Sequence, residues 1–322
     1  MTSTKPLLYV SRHLPDPVMA VVRAQYALLH EPSNGPAPPS TLRQGLSRAV
    51  AAIVTLTDRI DAETLESARE LKVLANYAVG YNNIDLEAAQ RGGIAVTNTP
   101  DVLTDATADL TWALILACAR RVLEGVDVIR GGGWTGWHPE QLLGMELAGK
   151  TLGLLGAGRI GQAVGRRARP FGLEVRYTAR TAKPDFEHAT GAVRVELARL
   201  LKDSDILSLH VPAVPELQGV IGPDALARMK PGAILVNTSR GDLVREEAVA
   251  VALEDGRLGA VGLDVYAEEP AIHPRLLAAP RAVLLPHIGS ATRETRRRMA
   301  ATALANVRAV LAGDPPLTPV FR

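Results

Sequence analysis

A chain of 322 residues is longer than one hydrophobic core ordinarily serves, so two domains are expected. Apolar residues make up 47% and charged residues 22%, which excludes a disordered or fibrous chain. The 36 Lys and Arg face 34 Asp and Glu, interspersed along the chain, and this balance excludes a strongly basic nucleic-acid surface.

Taken in chain order, apolar runs at 7–11, 51–56, 72–77 and 94–97 have the length of buried parallel strands and alternate with longer periodic segments that suit helices. The prolines within 32–39 predict an irregular surface loop. Thr99-Pro100-Asp101 punctuates the chain. A single long apolar-rich helix is then predicted over 102–122, opened by an acid and closed near Arg120 and Arg121, as the helix dipole favours. Within it, Trp112 reads as core or interface packing, and Cys118, the one cysteine, reads as a small buried hydrophobe. The stretch 131–139 is too rich in Gly and Pro for an element interior and predicts a loop bearing Trp134 and Trp137. Strand texture resumes at 151–155, 173–177, 206–211, 233–237, 260–263 and 283–285, so two α/β sheets are expected. A last helix over 291–311 can return to the first domain, and its Arg296-Arg297-Arg298 run reads as a solvated face.

A single cysteine, the lack of a basic and apolar leader, and the lack of an apolar run near the roughly 18 residues of a membrane span point to a cytoplasmic protein. No metal is expected, because the histidines are scattered without the spacing of ligand pairs.

Gly156-Ala157-Gly158-Arg159-Ile160-Gly161 fits G-x-G-x-x-G, preceded by an apolar strand and followed by helical potential. The first glycine permits the tight turn, the second admits a pyrophosphate to the backbone, and the third allows close helix-to-strand packing. A carboxylate that would hold the adenosine ribose is expected about twenty residues further on. Here Thr178 or Ala179 takes that place, followed by Arg180 and Thr181. A neutral residue beside a guanidinium suits a 2′-phosphate, so NADP(H) is expected ahead of NAD(H). The expected division is a discontinuous substrate domain of 1–99 plus 290–322 and a dinucleotide-binding domain of 100–289.

Three later segments set polar residues at strand ends, where α/β sheets place their ligands. Arg240 offers a planar fork of donors for a carboxylate or carbonyl, His287 a proton for a developing alkoxide, and Glu269 an anion that orients the imidazole and favours its charged form. These segments, with Asn76-Tyr77-Ala78-Val79-Gly80-Tyr81, the run from Asn98-Thr99-Pro100-Asp101 to Ala108-Asp109, and the glycine loop, resemble in order and nearly end to end the D-isomer-specific 2-hydroxyacid dehydrogenases, most closely the glyoxylate and hydroxypyruvate reductases.

The resemblance implies two Rossmann-like, doubly wound parallel-sheet domains with the active site in the cleft between them. It implies hydride transfer from NAD(P)H to a small 2-oxo acid, with Arg240 binding the substrate and His287 and Glu269 forming the acid/base pair. It puts Leu56, Tyr77, Val79, Gly80 and Trp137 at the substrate, Trp137 reaching across a homodimer to the neighbouring subunit. Along the cofactor it puts Thr107, Arg159, Ile160, Val211, Pro212, Thr238, Ser239 and Asp264, with His287 and Gly289 at the nicotinamide. The sequence departs from many relatives at Asn82, where they carry an aspartate, and no added regulatory domain is expected after Arg322, which weakens a reading as the longer kind of phosphoglycerate dehydrogenase. Lactate-, phosphoglycerate- and phosphite-type dehydrogenases stay open as alternatives, as does a dinucleotide-sensing corepressor that uses the same fold without turnover.

Overall fold

The computed structural model describes residues 5–321, which fall into two compact units, 5–103 with 290–321 and Thr104–Gly289. The division falls beyond Thr99-Pro100, because the helix that opens the second unit begins at Thr104.

In the first unit, strands β1 (Leu7–Val10), β2 (Ala27–Leu28), β3 (Ala51–Val54), β4 (Val73–Asn76) and β5 (Ala95–Thr97) form a parallel sheet in the order β2-β1-β3-β4-β5. The chain reverses its direction of winding at β1 and β3, the place where open α/β sheets leave a crevice beyond the strand ends. The closing helix Arg293–Ala312 packs on β3 and β4. It is capped by Thr292, whose side chain accepts from Thr295 N at 3.1 Å, and it ends at Gly313 with φ +88°. The tail then pairs with β5, Val320 N donating to Val96 O at 2.9 Å.

In the second unit, β6 (Thr151–Leu155), β7 (Glu174–Thr178), β8 (Val193–Arg194), β9 (Ile206–Leu209), β10 (Ala233–Asn237), β11 (Leu258–Leu263) and β12 (Ala282–Leu284) form a parallel sheet in the order β12-β11-β10-β9-β6-β7-β8. Here the switch point lies between β6 and β9. The inner strands β6, β9, β10 and β11 are buried at every position, which is why they read as continuous apolar runs. The two-residue edge strands β2 and β8 left no such run.

The long helix expected over 102–122 is two helices, Thr104–Ala119 and Val122–Arg130, broken where Arg121 adopts the left-handed conformation with φ +52°. The first is core: Trp112 is buried, donates to Val164 O at 3.0 Å and stacks on Phe171. Cys118 lies in the same core, where burial pushes its thiol up to about 12. The second helix buries none of its residues. Pro39, expected in a loop, opens the helix Pro39–Arg48, a first-turn position where its missing N–H is no loss. Among the described residues no helix is long and apolar enough to cross a membrane.

Candidate active site

Arg240, Glu269 and His287 follow β10, β11 and β12, three neighbouring strands of one sheet, so all three emerge on the same carboxyl edge. Asn237 shapes the first turn, its side chain donating to Arg240 O at 2.7 Å and accepting from Ser239 N at 3.0 Å. Gly241 then lets this turn lie against the next. A Cβ at that position would stand 1.9 Å from the carbonyl carbon of Tyr266. Burial draws the Arg240 guanidinium below its ordinary range while the charges of Glu269 and Asp242 oppose that drift, and the group stays cationic.

His287 Nδ1 lies 2.8 Å from Glu269 Oε2, and Glu269 Oε1 accepts from Tyr266 N at 3.1 Å. Burial alone would raise the Glu269 carboxyl. The hydrogen bond and charge of His287, the Tyr266 amide and Arg240 together carry it below the usual carboxylate range, so it is ionised. With Nδ1 turned to the carboxylate, Nε2 is the nitrogen the imidazole offers to a reactant.

His287 has φ +55°, an uncommon conformation for a side-chain-bearing residue, and two neighbours hold it. Asp264, 1% exposed, accepts from Ile288 N through one oxygen and from Gly289 N through the other, each at 2.7 Å. The Tyr266 hydroxyl donates to Leu285 O at 2.9 Å. The resemblance places Asp264 along the cofactor and implies no role for Tyr266. In the structure both carboxylate oxygens of Asp264 are engaged in fixing the turn that aims His287.

The glycine loop follows β6 at the switch point. A Cβ at Gly156, whose φ is +101°, would meet His210 O at 2.5 Å, and one at Gly161 would meet Gly156 O at 2.2 Å. At Gly158 a Cβ would meet nothing within 4 Å. The loop is thus packed tightly behind and open at Gly158, with the helix Arg159–Ala168 starting directly after it, an arrangement that fits a dinucleotide pyrophosphate. Ile160 packs inward and Arg159 is exposed. Val211 approaches Gly156, and its carbonyl accepts from Ser239 Oγ at 2.5 Å, while Pro212 is exposed. Thr238 shares a hydrogen bond of 2.9 Å with Thr111, and Thr107 borders Gly289. His210, under the loop, is pushed down to about 3 by burial and stays neutral.

At the end of β7, Ala179 is half-buried against the core while Arg180 and Thr181 are exposed, with basic company drawn in by the fold. Arg194 of β8 donates to Ala179 O at 3.0 Å and to Arg180 O at 3.2 Å, and Lys183 Nζ donates to Thr181 Oγ1 at 2.9 Å. Two further cations therefore stand beside Arg180.

In the first unit, Leu56 is half-buried at the β1/β3 switch point. Its loop is fixed by Asp58, which accepts from Ser11 Oγ at 2.5 Å and from Thr55 N at 2.6 Å. Val79 and Gly80 lie in the loop after β4. Tyr77, expected at the substrate, is buried, and its hydroxyl donates to Arg296 O at 2.8 Å on the closing helix. Trp137 is 80% exposed, so within one chain it fills no pocket.

Residues 112–289 match the family model described as D-isomer specific 2-hydroxyacid dehydrogenase, NAD binding domain. A glyoxylate reductase of Thermococcus litoralis is 47% identical over 319 residues, covering 97% of this chain and 96% of that protein. Among solved structures, the TT0316 protein of Thermus thermophilus superposes with a TM-score of 0.92 at 48% identity, covering 98% of this chain and 100% of the other. An NADPH-dependent glyoxylate/hydroxypyruvate reductase of Sinorhizobium meliloti, solved with NADP and malonate, does so with a TM-score of 0.87 at 30% identity, covering 98% and 97%. With its two parallel-sheet α/β units, its open glycine loop and these relatives, the chain belongs to the D-isomer-specific 2-hydroxyacid dehydrogenase family, near the glyoxylate reductases.

Proposed function

We propose that the chain reduces glyoxylate or hydroxypyruvate to glycolate or D-glycerate, with NADPH preferred over NADH. The observation that carries this reading is the grouping of a half-buried guanidinium with a carboxylate-held imidazole on one sheet edge, the Nδ1–Oε2 distance being 2.8 Å. When bound, the reduced cofactor supplies the hydride that reaches C2 of the oxo acid. Arg240 pairs with the substrate carboxylate and polarises its carbonyl. His287 Nε2 delivers the proton that the C2 oxygen gains as that carbon becomes a secondary or primary alcohol centre, and Glu269 stabilises the imidazolium before transfer. The amides of Val79 and Gly80 take the carboxylate, and Leu56 limits the size of the acid. Gly156, Gly158, Arg159, Ile160, Gly161, Val211, Pro212, Thr107, Thr238, Ser239 and Gly289 are assigned to the cofactor, and Asp264 to holding the turn beside it.

The NADPH preference is supported by Arg180 and, beside it, Arg194 and Lys183, with no carboxylate in the 178–181 segment. We further assign the protein to the cytoplasm and to a homodimer. The helix Val122–Arg130 leaves Val122, Leu123, Val126 and Ile129 exposed, and Trp134, Trp137 and Leu143 extend that apolar surface. Apolar surface of this kind is what a second copy would cover, with Trp137 entering the neighbour's substrate site.

Initial rates with glyoxylate, hydroxypyruvate, pyruvate and phosphohydroxypyruvate, each with NADPH and NADH, test the assignment. Highest kcat/KM for one of the first two with NADPH is expected, falling by about tenfold or more for NADPH in Arg180→Ala with NADH little changed. A higher efficiency with NADH overturns the cofactor assignment, and absence of turnover with every acid overturns the enzymatic one. Light scattering that finds an active monomer overturns the dimer.

A further inference from the structure

The loop after β4 carries three consecutive peptide groups whose carbonyls are each held by a donor. Thr99 N donates to Ala78 O at 2.8 Å. Asn98 Nδ2 donates to Val79 O at 2.8 Å, and Asn76 Nδ2 donates to Gly80 O at 2.8 Å. In a planar trans peptide the C=O and the following N–H point in opposite directions. Fixing these carbonyls therefore fixes the N–H groups of Val79, Gly80 and Tyr81, each pointing away from the donor that holds its own peptide's carbonyl. Among the described residues none of these amides has a protein acceptor.

The two asparagines are themselves firmly placed. Asn76 is fully buried at the end of β4 and meets Asn83, whose Nδ2 donates to Thr55 O and Asp58 O, each at 3.1 Å, in the loop that carries Leu56. Asn98 is held through its backbone: its carbonyl accepts from Thr318 Oγ1 at 2.6 Å, and buried Asn306 of the closing helix accepts from Thr318 N at 2.9 Å. The order of the loop thus comes from side-chain amides rooted in the sheet and in the C-terminal segment.

We propose that Asn76 and Asn98 are positioning residues that set the amides of Val79, Gly80 and Tyr81 as a cradle for the substrate carboxylate, an inference that rests on the function proposed above. Successive backbone N–H groups facing one way form an anion-binding concavity without any charged side chain. The arrangement holds a carboxylate while keeping its cost of ordering low, since the donors are already oriented before binding. Asn98 acts through the Val79–Gly80 peptide and touches no substrate atom.

The test uses the full-length protein and two variants, Asn98→Ala and Asn98→Asp. The second keeps the side chain's shape and replaces the donor with an acceptor, so it decides the matter if the alanine variant does not fold. The glyoxylate KM is expected to rise by about tenfold, as for a weakened hydrogen bond to a charged group, with kcat at saturation and the NADPH dissociation constant within about twofold of wild type. Oxalate, titrated calorimetrically into the NADP-saturated protein, should lose affinity by the same factor. Parallel losses of kcat, cofactor binding and melting temperature would mean a merely structural role and overturn the proposal, as would unchanged KM and unchanged oxalate affinity. Wild-type protein that binds oxalate but reduces no oxo acid would overturn the function proposed above, while weaker oxalate binding in the variants would still support the cradle.

Discussion

Asp264 offers a sharp test of how the site is held together. Its carboxylate is 1% exposed, and each oxygen accepts one backbone amide at 2.7 Å, from Ile288 and Gly289. Burial raises its pKa; the two amides and the charge of His287 pull the other way, and burial prevails. The folded protein therefore binds that proton more tightly than the unfolded chain does, so the ionised carboxylate opposes folding at neutral pH and ceases to do so as pH falls through its raised value. Asp264→Ala leaves both amides without an acceptor and is expected to destabilise by about 2–6 kcal/mol, taking each buried unsatisfied donor at about 1–3 kcal/mol. Asp264→Asn keeps one acceptor and removes the buried charge, so its loss of stability is expected to stay within about 1 kcal/mol. Both variants loosen the turn that aims His287, and a misplacement on the order of 1 Å corresponds to a kcat lower by about tenfold to a hundredfold. Urea unfolding, with unchanged m, measures the first effect and steady-state turnover the second. Between neutral pH and the acid range the stability of wild type should rise relative to Asp264→Asn. Equal destabilisation by Asn and Ala, or full kcat in Asp264→Ala, would refute the reasoning.

His287→Asn should lower kcat by about 100-fold or more with NADPH affinity kept, as loss of a general acid predicts; equal turnover would remove His287 from the chemistry. Glu269→Gln removes the anion that orients the imidazole, so kcat should fall by about tenfold or more with NADPH affinity kept, and an unchanged kcat would count against the pair. Because the Glu269 carboxyl is held below the usual range, its contribution to stability is present above that range and lost as pH falls through its lowered value, so Glu269→Gln should flatten the acid limb of stability against pH. Gly241→Ala drives a methyl group to 1.9 Å from the Tyr266 backbone and should separate the Arg240 turn from the Glu269 turn, reducing kcat/KM sharply; a variant with unchanged kinetics would show that the two turns need no such contact.

Features written in local runs of residues were legible in the chain itself. The inner strands were readable because parallel strands buried on both faces must be apolar at each position, and the glycine loop because a tight turn and a close pyrophosphate approach need glycine at fixed spacing. Arg240, Glu269 and His287 stood out as candidates because each lies in the segment that follows such a run. Tertiary structure alone decided what depends on pairing between distant segments. β2 and β8 exist through their neighbours in the sheet, and Arg121 breaks a helix that local composition would continue. Arg194 comes beside Arg180 because β8 pairs with β7, Asp264 faces Ile288 and Gly289 because β11 pairs with β12, and Asn98 reaches Val79 because β5 lies against β4. A hydrogen bond is satisfied by whatever donor or acceptor the register brings within about 3 Å, and register between strands far apart in the chain is a property of the packed sheets.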